Sequence, residues 1–459
     1  MLGHLLLPEI EDMIRAKDFA GLREAMADLR PPDVGELIEE LPEEDQAVIF
    51  RILPRQVAAQ VFEYLAVEAQ ESLLKSLGRE QVGEILNAMA PDDRTALLEE
   101  LPAEATKRLL ALLTPDELVV AKKLLGYPED TIGRLMTPDY VAIKESWTVS
   151  QVLDHVRTHG RASETLNILY VIDEKGTLLD EIRSREFLLA PLDKKVSELM
   201  DRTFVSLKAT DDQEKAVETF RKYDMTALPV TDSGGVLVGI VTVDDVFDVA
   251  TEEATEDFQK IGGMAALEYP YLEAGFGEML TKRAGWLVVL FLGEMLTATA
   301  MAYFEEELEK ALVLALFVPL IISSGGNSGS QAATLVIRAL SIGEVALRDW
   351  WRVMRRELVS GLTLGAILGL IGFLRVIIWS RFTDIYGTHA YGVGLTVGVT
   401  LVGVVMFGTL AGSMLPLVLK RVGVDPATAS APFIATLVDV TGLIIYFGSA
   451  TIILKEMLQ

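Results

Sequence analysis

Five stretches in the C-terminal part of the chain are long and apolar enough to cross a bilayer, which takes about 20 residues of helix each. They cover roughly 284–303, 311–337, 358–380, 391–419 and 427–454. Within lipid every backbone N–H and C=O needs a partner inside its own segment, so this part can only be a bundle of five membrane helices. The flanking charges predict its orientation. Lys282, Arg283, Arg338, Arg348, Arg352, Arg355, Arg356, Lys420 and Arg421 fall on one side. Lys310, Arg381, Lys455 and the acidic run 305–309 fall on the other. The expectation is a multi-pass protein of the cell (inner or plasma) membrane, with its N-terminus in the cytoplasm and its C-terminus outside.

Two places in these spans break the apolar rule. Asp439 is the only charged residue between Ala427 and Leu454. It stands 12 residues into span five, about 18 Å at helical rise, near the bilayer centre, where an ionisable group marks function. Span two carries SSGGNSGSQ after Pro319. One reading is a broken helix exposing backbone beside water, as at transporter ion sites, with Asn327 and Gln331 lining it. The other is a tight crossing of helices through small residues. Glycines four residues apart (Gly361, Gly365, Gly369; Gly394, Gly398; Gly408, Gly412) suggest close helix faces in spans three and four. Glu294 in span one and Arg375 in span three are expected either to pair or to reach toward the interfaces.

The rest of the chain is of another kind. Residues 271–459 carry 13 Lys and Arg against 14 Asp and Glu, so all but one of the chain's 26 net negative charges fall on residues 1–270. Such acidity argues against nucleic acid and anionic lipid as partners and for cations, although a solvated acidic surface would look the same. There are no cysteines, which excludes disulfides and thiolate metal sites. His155 and His159, four residues apart with no third ligand in sequence, read as an exposed helix face. The N-terminal MLGHLLLPEIED has no basic flank and does not read as a signal peptide.

Leucine recurs at every twelfth position, at 29, 41, 53, 65, 77, 101, 113 and 125, with Met89 in the one gap. A unit of that length fits one short helix and a turn, so residues 1–130 are expected to form an all-α superhelix of stacked repeats. Residues 131–251 contain a duplication, about 135–197 and 198–251. LMTPDYVAIKESWTVSQVLDHVR resembles LMDRTFVSLKATDDQEKAVETFR, and NILYVIDEKGTLLDEIRSREFL resembles TALPVTDSGGVLVGIVTVDDVF. Each copy reads strand, helix, strand pair, helix, and the pattern resembles tandem CBS domains, an α/β module. Gly239, Thr242 and Asp245 match that family's signature, whereas the first copy has Asp180 and Arg183 at the corresponding glycine and hydroxyl positions. The resemblance implies an adenosine nucleotide such as ATP near Thr242, Asp245 and Arg185. A connecting helix is expected over 244–270. Its Asp245, Asp248, Glu252 and Glu256 share a face that repels itself unless neutralised.

A helical N-domain, tandem CBS domains, an acidic connecting helix and a five-helix transmembrane domain over 271–459, in this order, resemble the MgtE family of magnesium channels. The most specific pieces are GGNSGSQAATLVIRAL at 325–340 and DPATASAPFIATLVDVTGLIIY at 425–446. The resemblance implies a homodimer embedded in membrane lipid, with a Mg2+ pore on its two-fold axis between spans two and five. Asp439 would be the pore aspartate, with Asn327 and the backbone near Ala435 beside it. It also implies a cytosolic Mg2+ sensor at Asp92, Glu214, Asp224, Asp245, Asp248, Glu253, Glu256, Asp257 and Asp425. One further position expected to be acidic is Ala96.

Three other classes compete. A secondary divalent-cation transporter coupled to H+ or Na+ would use a broken span two equally well. An intramembrane aspartyl protease needs two facing carboxyl groups, and Asp439 is the one well-placed mid-membrane carboxylate the sequence offers; its expected partner is the same residue of a second copy. A membrane-anchored nucleotide sensor leaves Asp439 and SSGGNSGSQ unexplained. The chain is therefore expected not to be an enzyme.

Overall fold

The computed structural model describes residues 2–267, 271, 274–305, 312–383, 385–386 and 389–455. Lys310 and all of the acidic run 305–309 except Glu305 lie outside them. The chain divides into two compact units, Met1–Ala250 and Thr251–Gln459.

In the first unit the period of the leucines is the period of the helices. Pro31–Glu39, Glu43–Ile52, Arg55–Glu63, Val67–Ser76, Arg79–Ala88, Pro91–Glu100, Ala103–Leu110 and Pro115–Leu124 each begin at the same twelve-position interval. Proline at the first helical position of three of them costs no hydrogen bond, because that N–H has no partner within the helix. The recurring apolar residue sits in the turn ahead of each helix, and Leu41, Leu53, Leu65, Leu77, Met89 and Leu101 are buried. Pro31–Glu39 packs on Arg55–Glu63, which packs on Arg79–Ala88, so helices stack on the next but one. One core runs from Ile10 to Leu101. Arg94 is fully buried near the end of this stack; it donates to the carbonyl oxygen of Leu86 at 3.0 Å and pairs with Glu117.

The duplication is two three-stranded sheets. In the first, β1 (Ala142–Lys144) runs parallel to β2 (Ile168–Ile172), which pairs antiparallel with β3 (Leu178–Arg183). β4 (Leu207–Lys208), β5 (Ala227–Thr231) and β6 (Leu237–Thr242) repeat that arrangement. Bridges Thr177–Val236 and Thr137–Ile240 tie the copies together. The second bridge explains Gly239: a Cβ there would stand 2.8 Å from the carbonyl oxygen of Thr137. Asp180 of the first copy is buried, and its carboxylate accepts from the N–H groups of Asp201 and Arg202, both at 3.0 Å. Its departure from glycine thus serves the segment joining the copies.

The connecting helix runs from Val243 to Ile261, not to 270. It stops before Gly263, whose φ of 77° suits glycine at a helix end. The second unit then holds five apolar helical spans: Phe276–Tyr303, Leu312–Ser341, Leu347–Trp379, Ala390–Arg421 and Ala431–Ile453. Span two is not broken at SSGGNSGSQ. Its one interruption is a turn at residues 316–317, and Val318–Ser341 is a single helix straight through the glycines. The physical reason is packing. A Cβ on Gly408 or Gly412 of span four would collide with the backbone carbonyl groups of Gly325 and Gly329, so the small residues let two helix backbones touch. Spans three and four meet likewise, with Gly365 against Val402 and Gly369 against Gly398.

Candidate functional site

In the second unit, span two has three faces. Gly325 and Gly329 press on span four, Gly326 lies against Ala435 of span five, and Ser323, Asn327 and Gln331 form an exposed polar stripe at four-residue spacing. The Asn327 amide is 3.4 Å from the hydroxyl of Ser323. One turn beyond Ala435 stands Asp439, half-buried. The Ser430 hydroxyl caps span five by accepting from the N–H of Phe433 at 3.4 Å, and it also receives the indole N–H of Trp286 at 3.0 Å. The Ser330 hydroxyl donates to the carbonyl oxygen of Ala431 at 3.1 Å, and the Tyr446 hydroxyl to that of Leu314 at 2.9 Å. Spans one, two and five are thereby held in register around Asp439.

Glu294 and Arg375 do not pair. The Arg375 guanidinium lies 3.8 Å above the Trp379 ring, a cation–π contact on its own span. Glu294 instead reaches the Asp439 carboxyl group. The sequence reading that left Asp439 without a partner in its own chain is corrected here. The sequence signal was present, since a carboxylate lies near the middle of span one, but the face it occupies could not be read without its neighbour.

The expected sensor residues fall into several groups. In the first unit Asp92 is buried beside Asp245, with Asp93, Glu63, Glu164 and Asp244 around them. Burial, then repulsion from Asp245, Asp93 and Glu164, raises Asp92 well above the usual carboxylate range. Burial and the charges of Glu63, Asp245, Glu164 and Asp244 push Asp93 up to about 8. Burial, opposed by the hydroxyl of Thr242 at 2.6 Å, puts Asp245 at about 7. Asp248 is raised by burial and Asp244. Ala96 is exposed. Asp93, Glu63 and Glu164 were not picked out from sequence, where no spacing joins them.

Glu214 and Asp224 lie apart, exposed at opposite ends of helix Glu214–Tyr223. Arg185 is exposed and bonded to its neighbour Glu186 at 3.0 Å, not gathered to Thr242 and Asp245. In the second unit Glu253 is half-buried on the connecting helix. Asp257 accepts from the Ser341 hydroxyl at 2.7 Å. Asp425 accepts from Lys260 at 2.7 Å, and the same ammonium pairs with Glu256. Lys260 thus partly neutralises, from within the chain, a face that would repel itself if left without positive charge. Burial would lower Lys260, but its bonds to Asp425 and Glu256 outweigh that and hold it above its ordinary value. Among the described residues no three carboxylate or imidazole groups already converge on one point as metal ligands.

Known proteins show the same order of parts. Three family models match: the MgtE intracellular N domain over residues 29–130, the CBS domain over 132–193 and 196–252, and the MgtE divalent cation transporter over 318–449. The magnesium transporter MgtE of Thermus thermophilus is 39% identical over 455 residues, 98% of this chain and 99% of the relative. The chain belongs to the MgtE family. The MgtE of Enterococcus faecalis is 32% identical over 334 residues, 73% of this chain and 71% of that one. The crystal structure of the cytosolic domain of the Mg2+ channel MgtE in complex with ATP covers 53% of this chain and 100% of its own, at 38% identity and a TM-score of 0.51. That of the soluble part of a magnesium transporter covers 55% of this chain and 99% of its own, at 27% identity and a TM-score of 0.52. As an MgtE family member the chain is a divalent cation transporter of the membrane, with an MgtE-type N domain and a CBS pair ahead of its five spans.

Proposed function

We propose that the protein is a Mg2+ channel, built as a homodimer, which admits Mg2+ to the cell and is closed by Mg2+ bound to its acidic cytosolic region. The observation that carries this reading is the exposed polar stripe Ser323, Asn327 and Gln331 beside Asp439. Polar groups at that depth cannot face lipid. A second copy placed against them would enclose a hydrated path lined by Asn327, the backbone near Ala435 and Asp439. Mg2+ releases its waters reluctantly. Carboxylates acting through that water shell attract it while leaving it free to move on.

For the sensor, the buried carboxylates around Asp92 and Asp245 lack only a positive charge to balance them. A hydrated divalent ion supplies one without needing three direct protein ligands. Asp248, Glu253, Glu256, Asp257 and Asp425 would take further ions, with Glu214 and Asp224 at the exposed ends of their helix. An adenosine nucleotide, ATP being the one held by a relative, would meet Thr242 and Asp245, and Arg185 would have to leave Glu186 to join them. The uneven loop charges support a cytoplasmic N-terminus and an external C-terminus.

Asp439→Ala is expected to abolish Mg2+ uptake into proteoliposomes; uptake at the wild-type rate would refute the pore. A carrier coupled to H+ or Na+ loses the support of a break at SSGGNSGSQ, because span two is one helix from Val318 to Ser341. Unitary current steps in a planar bilayer are expected, and flux without them would favour the carrier.

A further inference from the structure

Span one touches its own bundle along one narrow face. Leu290 is its only buried residue among those described, and span five is the span it packs on. Trp286, Leu290 and Gly293 follow one another at helical spacing along this face, and Glu294 lies beside them. Gly293 lets the helices approach closely: a Cβ there would stand 2.7 Å from the Thr436 methyl group. That approach brings Glu294 Oε1 to 3.5 Å from the Thr436 hydroxyl and its carboxyl group to that of Asp439. Counted along the apolar stretch 284–303, Glu294 is ten residues from the start and nine from the end, so about 14 Å of helix separates it from the nearer end. A carboxylate at that depth that is exposed on its own copy, yet in contact with Thr436 and Asp439, needs a polar environment there. Two carboxylates in contact repel unless a proton or a metal cation lies between them.

We infer that Glu294 is a second carboxylate of the cation path, which with Asp439 sets the affinity for the hydrated divalent ion. This rests on the reading of Asp439 as a path residue. Span two and span five then do not line the path alone; span one adds a negative charge to each copy's share of it. The ligand class is a divalent cation still carrying its water, held by charge and water-mediated hydrogen bonds. Across about 6 Å of water, one carboxylate raises the occupancy of a divalent ion roughly tenfold, and of a trivalent one roughly thirtyfold.

The test uses the full-length protein in proteoliposomes with Mg2+, and with cobalt(III) hexaammine as a blocker whose ligands do not exchange. Glu294→Gln is expected to raise half-saturating Mg2+ about tenfold and to weaken the block about thirtyfold, while maximal uptake stays within about threefold; Glu294→Asp restores both. A purely structural glutamate would shift neither. Because the chain has no cysteine, Glu294→Cys gives a single thiol whose charge is altered after folding. A negatively charged methanethiosulfonate should restore tight Mg2+ saturation, and a positively charged one should stop uptake. Unchanged saturation and block in Glu294→Gln, or a thiol that neither reagent reaches, overturns the inference if Asp439→Ala still abolishes uptake. If Asp439→Ala transports normally, the path reading itself has failed.

Discussion

At the scale of residues, the carboxylates packed together in the first unit are held far from their ordinary ionisation. Asp93 titrates at about 8 and Asp245 at about 7 in the folded unit, against 3.8 for an ordinary aspartate. Between about pH 4 and pH 8 the folded state therefore keeps protons that the unfolded chain has released, so stability falls as pH rises through that window. In EDTA, the unfolding temperature of the first unit is expected to be several degrees lower at pH 8 than at pH 5.5, and Asp93→Asn should flatten the slope. Mg2+ binds the deprotonated form, so it should recover most of the loss at pH 8 and little at pH 5.5. A melting temperature constant or rising over this range would contradict the arrangement. Asp92 and Asp245 were legible in sequence through the family pattern. Asp93, Glu63 and Glu164 were not, because what makes them a group is burial against one another from distant parts of the chain. Glu294 and Asp439 were each visible as a charge in oil, but their contact was not.

At the scale of elements, periodicity was the most readable signal. A leucine at every twelfth position was enough to predict helices that do start at that interval, because each unit has room for one helix and one buried turn residue. Composition misled at SSGGNSGSQ. Glycine lowers helix propensity in water, but in a membrane bundle it also lets backbones touch, and contact with Gly408 and Gly412 kept the helix whole. The connecting helix was legible as an acidic run, whereas its neutralisation was not. Lys260 bridges Glu256 on its own helix to Asp425 before span five, with side chains about a third exposed. Such a partly exposed pair is worth about 1 kcal/mol. Lys260→Met should therefore let the amides of residues 253–261 exchange hydrogen roughly fivefold faster without Mg2+. With the ammonium gone, Mg2+ should take its place between the carboxylates and restore protection. Exchange as slow as wild type in EDTA would mean that Lys260 does not hold this helix end.

At the scale of the whole molecule, the division of charge is the organising fact. All but one of the net negative charges lie on residues 1–270, ahead of a nearly neutral membrane unit. Such a charge could be no more than a solvated surface, in which case any salt would screen it, over about 8 Å at physiological ionic strength. Clustered sites respond differently. A divalent ion that binds one arrangement of carboxylates better than another shifts the population toward it, and the shift is limited by that difference in affinity. By linkage, if Mg2+ at these carboxylates closes the proposed pore, then closing that pore by any other means must tighten Mg2+ binding there. The decisive comparison is therefore between ions and not between ionic strengths. In X-ray scattering, residues 1–260 are expected to show a smaller radius of gyration in 10 mM Mg2+ than in NaCl of equal ionic strength, with a parallel gain in protease resistance. Asn at Asp92, Asp93 and Asp245 together should remove most of the difference. Equal compaction by both salts would assign the acidity to solvation alone and leave the gating proposal without its sensor.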